Sequence, residues 1–126
     1  MTTYTQRKTE TDLLIVEVKV GWTKDRRVLA QSATPYVFGE VLAANAVGSL
    51  VQLAPAATDG TQTAVAILLE DVNATAADKP GTVVARGAVI DPAELVWPAG
   101  ITAPQIAAAL ADLDKHMIIT RAVGIL

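Results

Sequence analysis

The sequence predicts a mostly β protein with one or two short helices, an α+β fold in which an extended N-terminal arm, residues 1–27, precedes a small β-rich body, residues 28–126. Three observations predict it. Apolar residues come in short runs broken by closely spaced Pro, Gly, Asn and Asp, which favours brief strands and turns over helices. One stretch, 102–117, carries apolar residues at clear helical spacing. The chain is 52% hydrophobic but only 4% aromatic, so a core must be made mainly of Ala, Val, Leu and Ile. At 126 residues, one domain fits best, large enough to remove roughly two thirds of its unfolded surface from water.

Taken in order, residues 1–11 are polar, Thr-rich and aperiodic, the pattern of a terminus that orders only when something ties it down. In residues 12–20 the character changes. Leu14, Val16, Val18 and Val20 share one face of a strand, Glu17 and Lys19 the other, and Gly21 ends it with Trp22 next. Two readings stand: an ordinary strand of the body, or part of an arm that adds itself to a sheet edge on another chain. In the second, backbone pairing supplies affinity, and Leu14, Val16 and Val18 supply register.

Residues 28–53 hold short apolar pieces interrupted by Pro35, Gly39, Asn45 and Gly48, hence short strands and turns. Residues 55–61 form a loop around Asp59-Gly60, and the apolar run 64–69 reads as a buried central strand. Residues 70–81 are polar and turn-like, with Asn73-Ala74-Thr75 and Lys79-Pro80-Gly81, and read as an outward-facing hairpin loop. The Asn73 triplet formally matches a glycosylation acceptor, but the motif is short and common.

Residues 85–98 combine strand, corner, tight helical turn and stop. Asp91 is placed to cap, Pro92 stands at the first helical position, Glu94 at the third, and Pro98 ends the turn. Trp97, one of five aromatic residues, should gather core packing there, so Asp91, Glu94, Trp97 and Pro98 form a structural corner. Thr102 and Gln105 then read as a capping box for a helix whose stripe is Ile106, Leu110, Leu113 and Met117. Residues 118–126 read as a terminal strand, with Ile125-Leu126 tucked into the fold or an interface.

Catalytic equipment is not visible. The only histidine, His116, sits at a helix end, where it complements the dipole. Asp59, Glu70, Asp71, Asp78, Asp91 and Glu94 each read as turn former, cap or solvated charge, and neither Ser32 nor Ser49 lies in a nucleophile-elbow context. No phosphate-binding glycine loop occurs, so an enzyme, a cofactor or a metal is not expected. With no cysteine, neither disulfides nor thiolate metal sites are available.

Net charge is −3, divided as +2 over residues 1–30 and −5 beyond, which does not favour nucleic acid as a partner. No apolar run approaches the ~18 to 20 residues of a membrane helix, and the polar residues 1–10 lack a signal-peptide core. Synthesis in the cytosol and no membrane partner are expected.

Between Thr34 and Leu126 run a Thr-Pro opener, Leu50-Val51, Thr58-Asp59-Gly60-Thr61, Ala64-Val65-Ala66-Ile67-Leu68, Glu94-Leu95-Val96-Trp97-Pro98, a variable helix and a β-rich end. In that order and spacing they resemble the head decoration proteins of lambda-type tailed phages. The resemblance implies a homotrimeric structural virion protein that cements the outside of the expanded capsid at three-fold and quasi-three-fold positions. Its partners would be the major capsid protein and itself. On that view Leu14, Val16, Val18, Val20 and Trp22 form a capsid-binding arm, and Pro35, Tyr36 and Phe38 a trimer or capsid contact. The alternative from another class is a small β-rich carbohydrate- or ligand-binding module on a virion surface, for which Trp22 and Tyr36 would be the exposed aromatics.

Overall fold

A computed structural model describes residues 13–17 and 21–121. Five strands, β2 (Lys24–Leu29), β3 (Val41–Ala44), β4 (Leu50–Gln52), β5 (Ala66–Leu68) and β6 (Lys79–Val84), close a barrel in the order β2-β4-β3-β5-β6. Beside it, β1 (Leu14–Glu17), β7 (Ala88–Ile90) and β8 (Ile118–Thr120) make a three-stranded sheet in the order β1-β7-β8. Between β7 and β8 the chain passes through a 3-10 turn, Pro92–Glu94, and helix α1, Ala103–Asp114, so β7 and β8 run parallel. The expected β-rich α+β fold is what forms.

The strand pattern follows from two separate cores. All five barrel strands contribute to one buried cluster, through Leu29, Leu42, Leu50, Ala66, Leu68 and Val83, so this cluster fills the barrel. The alternate residues Val41, Ala43, Ile67 and Val84 point outward and join Leu13, Leu14, Ala88, Ile90, Leu113 and Ile118 in a second cluster, under the sheet and helix. Strands β3, β5 and β6 are therefore covered on both faces. That is why residues 64–69 are apolar without alternation, as a strand buried on both sides should be.

Several boundaries differ from expectation. β2 spans Lys24–Leu29, so the division between residues 27 and 28 falls inside a strand. Four of its six residues are charged, which hid it, yet it pairs with β6 at every position from Lys24↔Val84 to Leu29↔Lys79. Its charges alternate between the two faces without any being fully buried, with Lys24 3.5 Å from Glu17, Asp25 2.6 Å from Arg86 and Arg26 3.5 Å from Glu70. Residues 79–81, expected in a turn, open β6. Pro80 is tolerated because this end of β6 has a strand partner on the β2 side only.

In β1 the simple alternation also fails. The register with β7 shifts between Leu14 and Val16, pairing Leu14 with Ile90 and Val16 with Val89, so Leu13 and Leu14 are both buried while Val16 is turned out, 43% exposed. Val18 and Val20, like residues 122–126 of the expected terminal strand, lie outside the described residues. The helix cap forms as read, with Gln105 N donating to Thr102 Oγ1 (3.4 Å) and Thr102 N to Gln105 Oε1 (3.0 Å). The helix buries Ala109 and Leu113, but Met117 is not in its stripe. The last turn ends at Asp114, and Met117 has φ 60° and is 55% exposed.

The corner at 91–98 closes the fold. Asp91 Oδ1 accepts from Ala93 N at 3.0 Å, capping a 3-10 turn that begins with Pro92. The turn ends at Leu95, before Pro98, and Trp97 is half-buried against the second core together with Phe38 and Leu110. The corner crosses Gly39 closely: Val96 N donates to Gly39 O (2.9 Å), and Val41 N to Val96 O (3.2 Å). A Cβ on Gly39 would lie 2.6 Å from Glu94 O, and φ there is +87°, so glycine is required on both counts.

Candidate interaction surface

Pairing across the three-stranded sheet fixes which side chains share its outer face. Ala88, Ile90 and Ile118 point into the core, and the residues between them point away. Val89 is paired with Val16 on one side and with Ile119 on the other, so these three form a row across the sheet. Val16 is 43% and Ile119 51% exposed, with Val89 half-buried between them. Trp22 lies at the end where the chain enters β7, its ring over Gly87, and Met117 enters β8 beside it, with Ala88 N donating to Met117 O at 3.0 Å.

Trp22 is held by its neighbourhood. Thr23 is fully buried, its Oγ1 donating to Gly87 O at 3.0 Å, and Ala85 N donates to Thr23 O at 2.9 Å. Arg86 spans the strands, binding Asp25 through both guanidinium nitrogens (2.6 and 3.2 Å) and donating to Trp22 O as well. The Arg86 hydrogen bond holds the Asp25 carboxyl below its usual range. Trp22 therefore presents a fixed ring, still 38% exposed, at the rim of an apolar patch. Exposed apolar residues grouped on one face, unlike singly scattered ones, mark a surface that another body covers.

The residues anticipated as an arm thus divide. Leu14 is committed to the chain's own core, while Val16 and Trp22 reach the open face. The second anticipated group divides too. Pro35 is exposed and Phe38 half-buried against the core, whereas Tyr36 is 1% exposed and presents no ring to solvent, which removes it from any sugar platform. Its hydroxyl donates to Ala30 O at 2.6 Å and lies 3.5 Å from Leu50 O, at the place where β2 and β4 meet through the single parallel pair Leu29↔Leu50. Asp91, Glu94, Trp97 and Pro98 remain a corner. Val89, Ile119 and Met117 were missed; the alternation Ala88-Val89-Ile90 held the signal, but only the β1-β7-β8 pairing shows that the three outward residues align.

Asp59, Glu70, Asp71 and Asp78 each accept hydrogen bonds within the fold. Asp59 Oδ1 accepts from Thr61 N (3.1 Å) and Thr61 Oγ1 (2.6 Å), the latter bond chiefly lowering its pKa. Asp78 accepts from Gln31 N, Asp71 from Phe38 N and Glu70 from Thr82 N. Among the described residues no group of three or more His, Cys, Asp or Glu could hold a metal ion, and no helix is long and apolar enough to cross a membrane.

The Asn73 triplet is an Asx turn, Asn73 Oδ1 accepting from Thr75 N (3.1 Å) and Thr75 Oγ1 (2.7 Å). What the geometry offers is a small closed barrel beside a three-stranded sheet whose outer face is apolar and open to solvent. No curated protein matches the chain. The model of the bacteriophage lambda head decoration protein D family matches residues 3–118, taking in the N-terminal stretch as well as the body, and the chain belongs to that family of structural phage-head proteins.

Proposed function

We propose that the protein is a trimeric cementing subunit that docks on the outside of the expanded head, at three-fold and quasi-three-fold positions of the coat lattice, and stabilises it against internal DNA pressure. The observation that carries this reading, beside the family, is the aligned row Val16, Val89 and Ile119 with Trp22 at its rim, an apolar face open to solvent. The coat protein is the occupant we assign to it. Pro35 and Val37, exposed on the segment whose Tyr36 is locked inside, supply contacts between subunits.

A subunit that binds only the expanded lattice shifts the equilibrium toward it by RT ln(1+[L]/Kd), about 2.7 kcal/mol per site at a hundredfold excess over Kd. Three linked subunits strengthen weak single contacts by an avidity of order 10² to 10⁴. Residues of the N-terminal arm add strand-edge pairing with the coat.

Because Leu13 and Leu14 belong to the core, an arm deletion that spares the fold must stop at residue 12. We expect the chain lacking residues 1–12, and separately Val16→Glu/Ile119→Glu, to keep the wild-type thermal transition. Both should lose co-sedimentation with expanded heads. Wild-type protein should bind expanded heads and ignore unexpanded ones. Equal binding to both forms, or a monomer by mass in solution and on heads, would sink the proposal.

A further inference from the structure

The loop between β4 and β5 carries Asp59-Gly60, the one place in the chain where glycine follows Asp or Asn. Both residues are exposed, and Gly60 has φ +102° with nothing within 4 Å of an added Cβ, so neither bulk nor burial protects the junction. Such junctions rearrange spontaneously. The Gly60 nitrogen attacks Asp59 Cγ, an N–C bond forms as a C–O bond breaks, and the hydroxyl leaves with the amide proton as water. Water then reopens the cyclic imide. Attack on the former main-chain carbonyl leaves Gly60 joined through Cγ, an isoaspartyl link that puts an extra carbon into the backbone and frees the α-carboxylate.

Both reacting groups are held back from that step. Asp59 Oδ1 accepts from Thr61 N (3.1 Å) and from Thr61 Oγ1 (2.6 Å). The carboxyl must be protonated to lose water. These bonds favour its ionised form, chiefly through the Thr61 hydroxyl, and no charged side chain among the described residues contributes. Gly60 N donates to Gln62 Oε1 at 2.8 Å, a bond that must break before the nitrogen can attack, and an amide oxygen is too weak a base to take the proton itself. Thr63 N donating to Gly60 O (3.2 Å) and Ala54 N to Thr61 O (2.9 Å) fix the backbone around the junction.

We infer that Asp59-Gly60 is a site of spontaneous isoaspartate formation whose rate Thr61 and Gln62 hold down, Thr61 by binding the carboxylate and Gln62 by binding the attacking amide. The loop is anchored at both ends, since Leu53 and Ala64 belong to the core under the sheet and are 4% and 0% exposed. An extra backbone carbon has to be absorbed between those anchors, so the rearranged chain is the less stable one. The loop shares no residue with the row Val16, Val89 and Ile119, and the rearrangement ages the body whatever covers that face.

The test incubates the full chain in water enriched in heavy oxygen, because each reopening of the imide leaves a solvent oxygen on residue 59. Peptide mass spectrometry locates the label, and electron-transfer fragmentation separates isoaspartate from aspartate. In the urea-unfolded chain Asp59 should label ahead of every other aspartate, and in the folded chain about tenfold or more slowly, as two guarding hydrogen bonds imply. Thr61→Val and Gln62→Met should each speed labelling of the folded chain about fivefold, the factor one ordinary hydrogen bond is worth. Thr61→Ser, which restores the hydroxyl, should label at the wild-type rate. Only Thr61→Val should carry labelling to higher pH, as a carboxyl released from that hydroxyl requires.

Equal rates in the folded and unfolded wild-type chain overturn the inference, and that comparison needs no variant. So does label falling first on another aspartate, or Thr61→Val and Gln62→Met chains that label no faster than wild type. Faster labelling accompanied by lost hydrogen-exchange protection of the Ala54 amide also counts against it, since general rigidity of the loop would then be the brake in place of the two side chains.

Discussion

Two carboxylates set opposite pH dependences on one small body. Asp25, hydrogen-bonded to Arg86, is held below its ordinary 3.8, so its contribution to stability is present at neutral pH and is lost as pH falls through and below that value. Glu40 is raised from its ordinary 4.5 by burial, so the folded state binds the extra proton. Its contribution to stability is then largest below 4.5 and declines as pH rises above it. Glu40→Gln keeps an acceptor for Val37 N without the charge. We expect it to raise Tm at pH 7 and to leave Tm unchanged near pH 4, measured by calorimetry; the reverse order would show that the carboxylate is already compensated. Gly87 is equally specific. Its φ is +61° and an added Cβ would fall 2.1 Å from the Trp22 ring. Gly87→Ala should cost about 1–3 kcal/mol and red-shift the fluorescence as the ring is driven into water. Nothing in the sequence announces this pairing, because the two residues are 65 positions apart; a glycine inside an apolar strand run shows only that some close approach occurs there.

The elements that could be read from sequence are those whose signals are local. The Thr102–Gln105 box, the Asp91-Pro92 turn and the Asp59-Gly60 loop each form with the side-chain bonds their residues promise. The run 64–69 was legible as a buried strand because both its faces are covered. What escaped was set by partners distant in sequence. β2 is charged at its first four positions and is a strand only because β6 pairs with it throughout, and the bulge in β1 that turns Val16 outward lies in its pairing with β7. In α1 the missing knowledge was where the helix stops, since a stripe drawn to Met117 assumes another turn, whereas the helix ends at Asp114 and Met117 has φ 60°. Paired substitutions separate the two positions. Leu113→Ala, removing a side chain with no exposed surface, should cost about 2–5 kcal/mol by urea denaturation, and Met117→Ala no more than about 0.5 kcal/mol. A comparable loss at Met117 would mean that it packs after all.

At the scale of the molecule, family and fold class were legible because order and spacing of motifs survive in sequence, while the open apolar face was not, since it exists only once β1, β7 and β8 lie side by side. The barrel has one weak join. Around most of its circumference neighbouring strands pair through two to six residues, but β2 and β4 pair only at Leu29↔Leu50, reinforced by Ala30 N donating to Leu50 O (2.9 Å) and by the Tyr36 hydroxyl on Ala30 O. A phenol therefore acts as the clasp of a hoop. Tyr36→Phe should lower stability by about 1 kcal/mol and, in native-state hydrogen exchange, selectively accelerate the Ala30 amide while those of β5 keep their protection. Strain carried into the hoop would open it at the clasp first, leaving the long β2–β6 ladder closed, so that the body yields locally and can shut again before it unfolds.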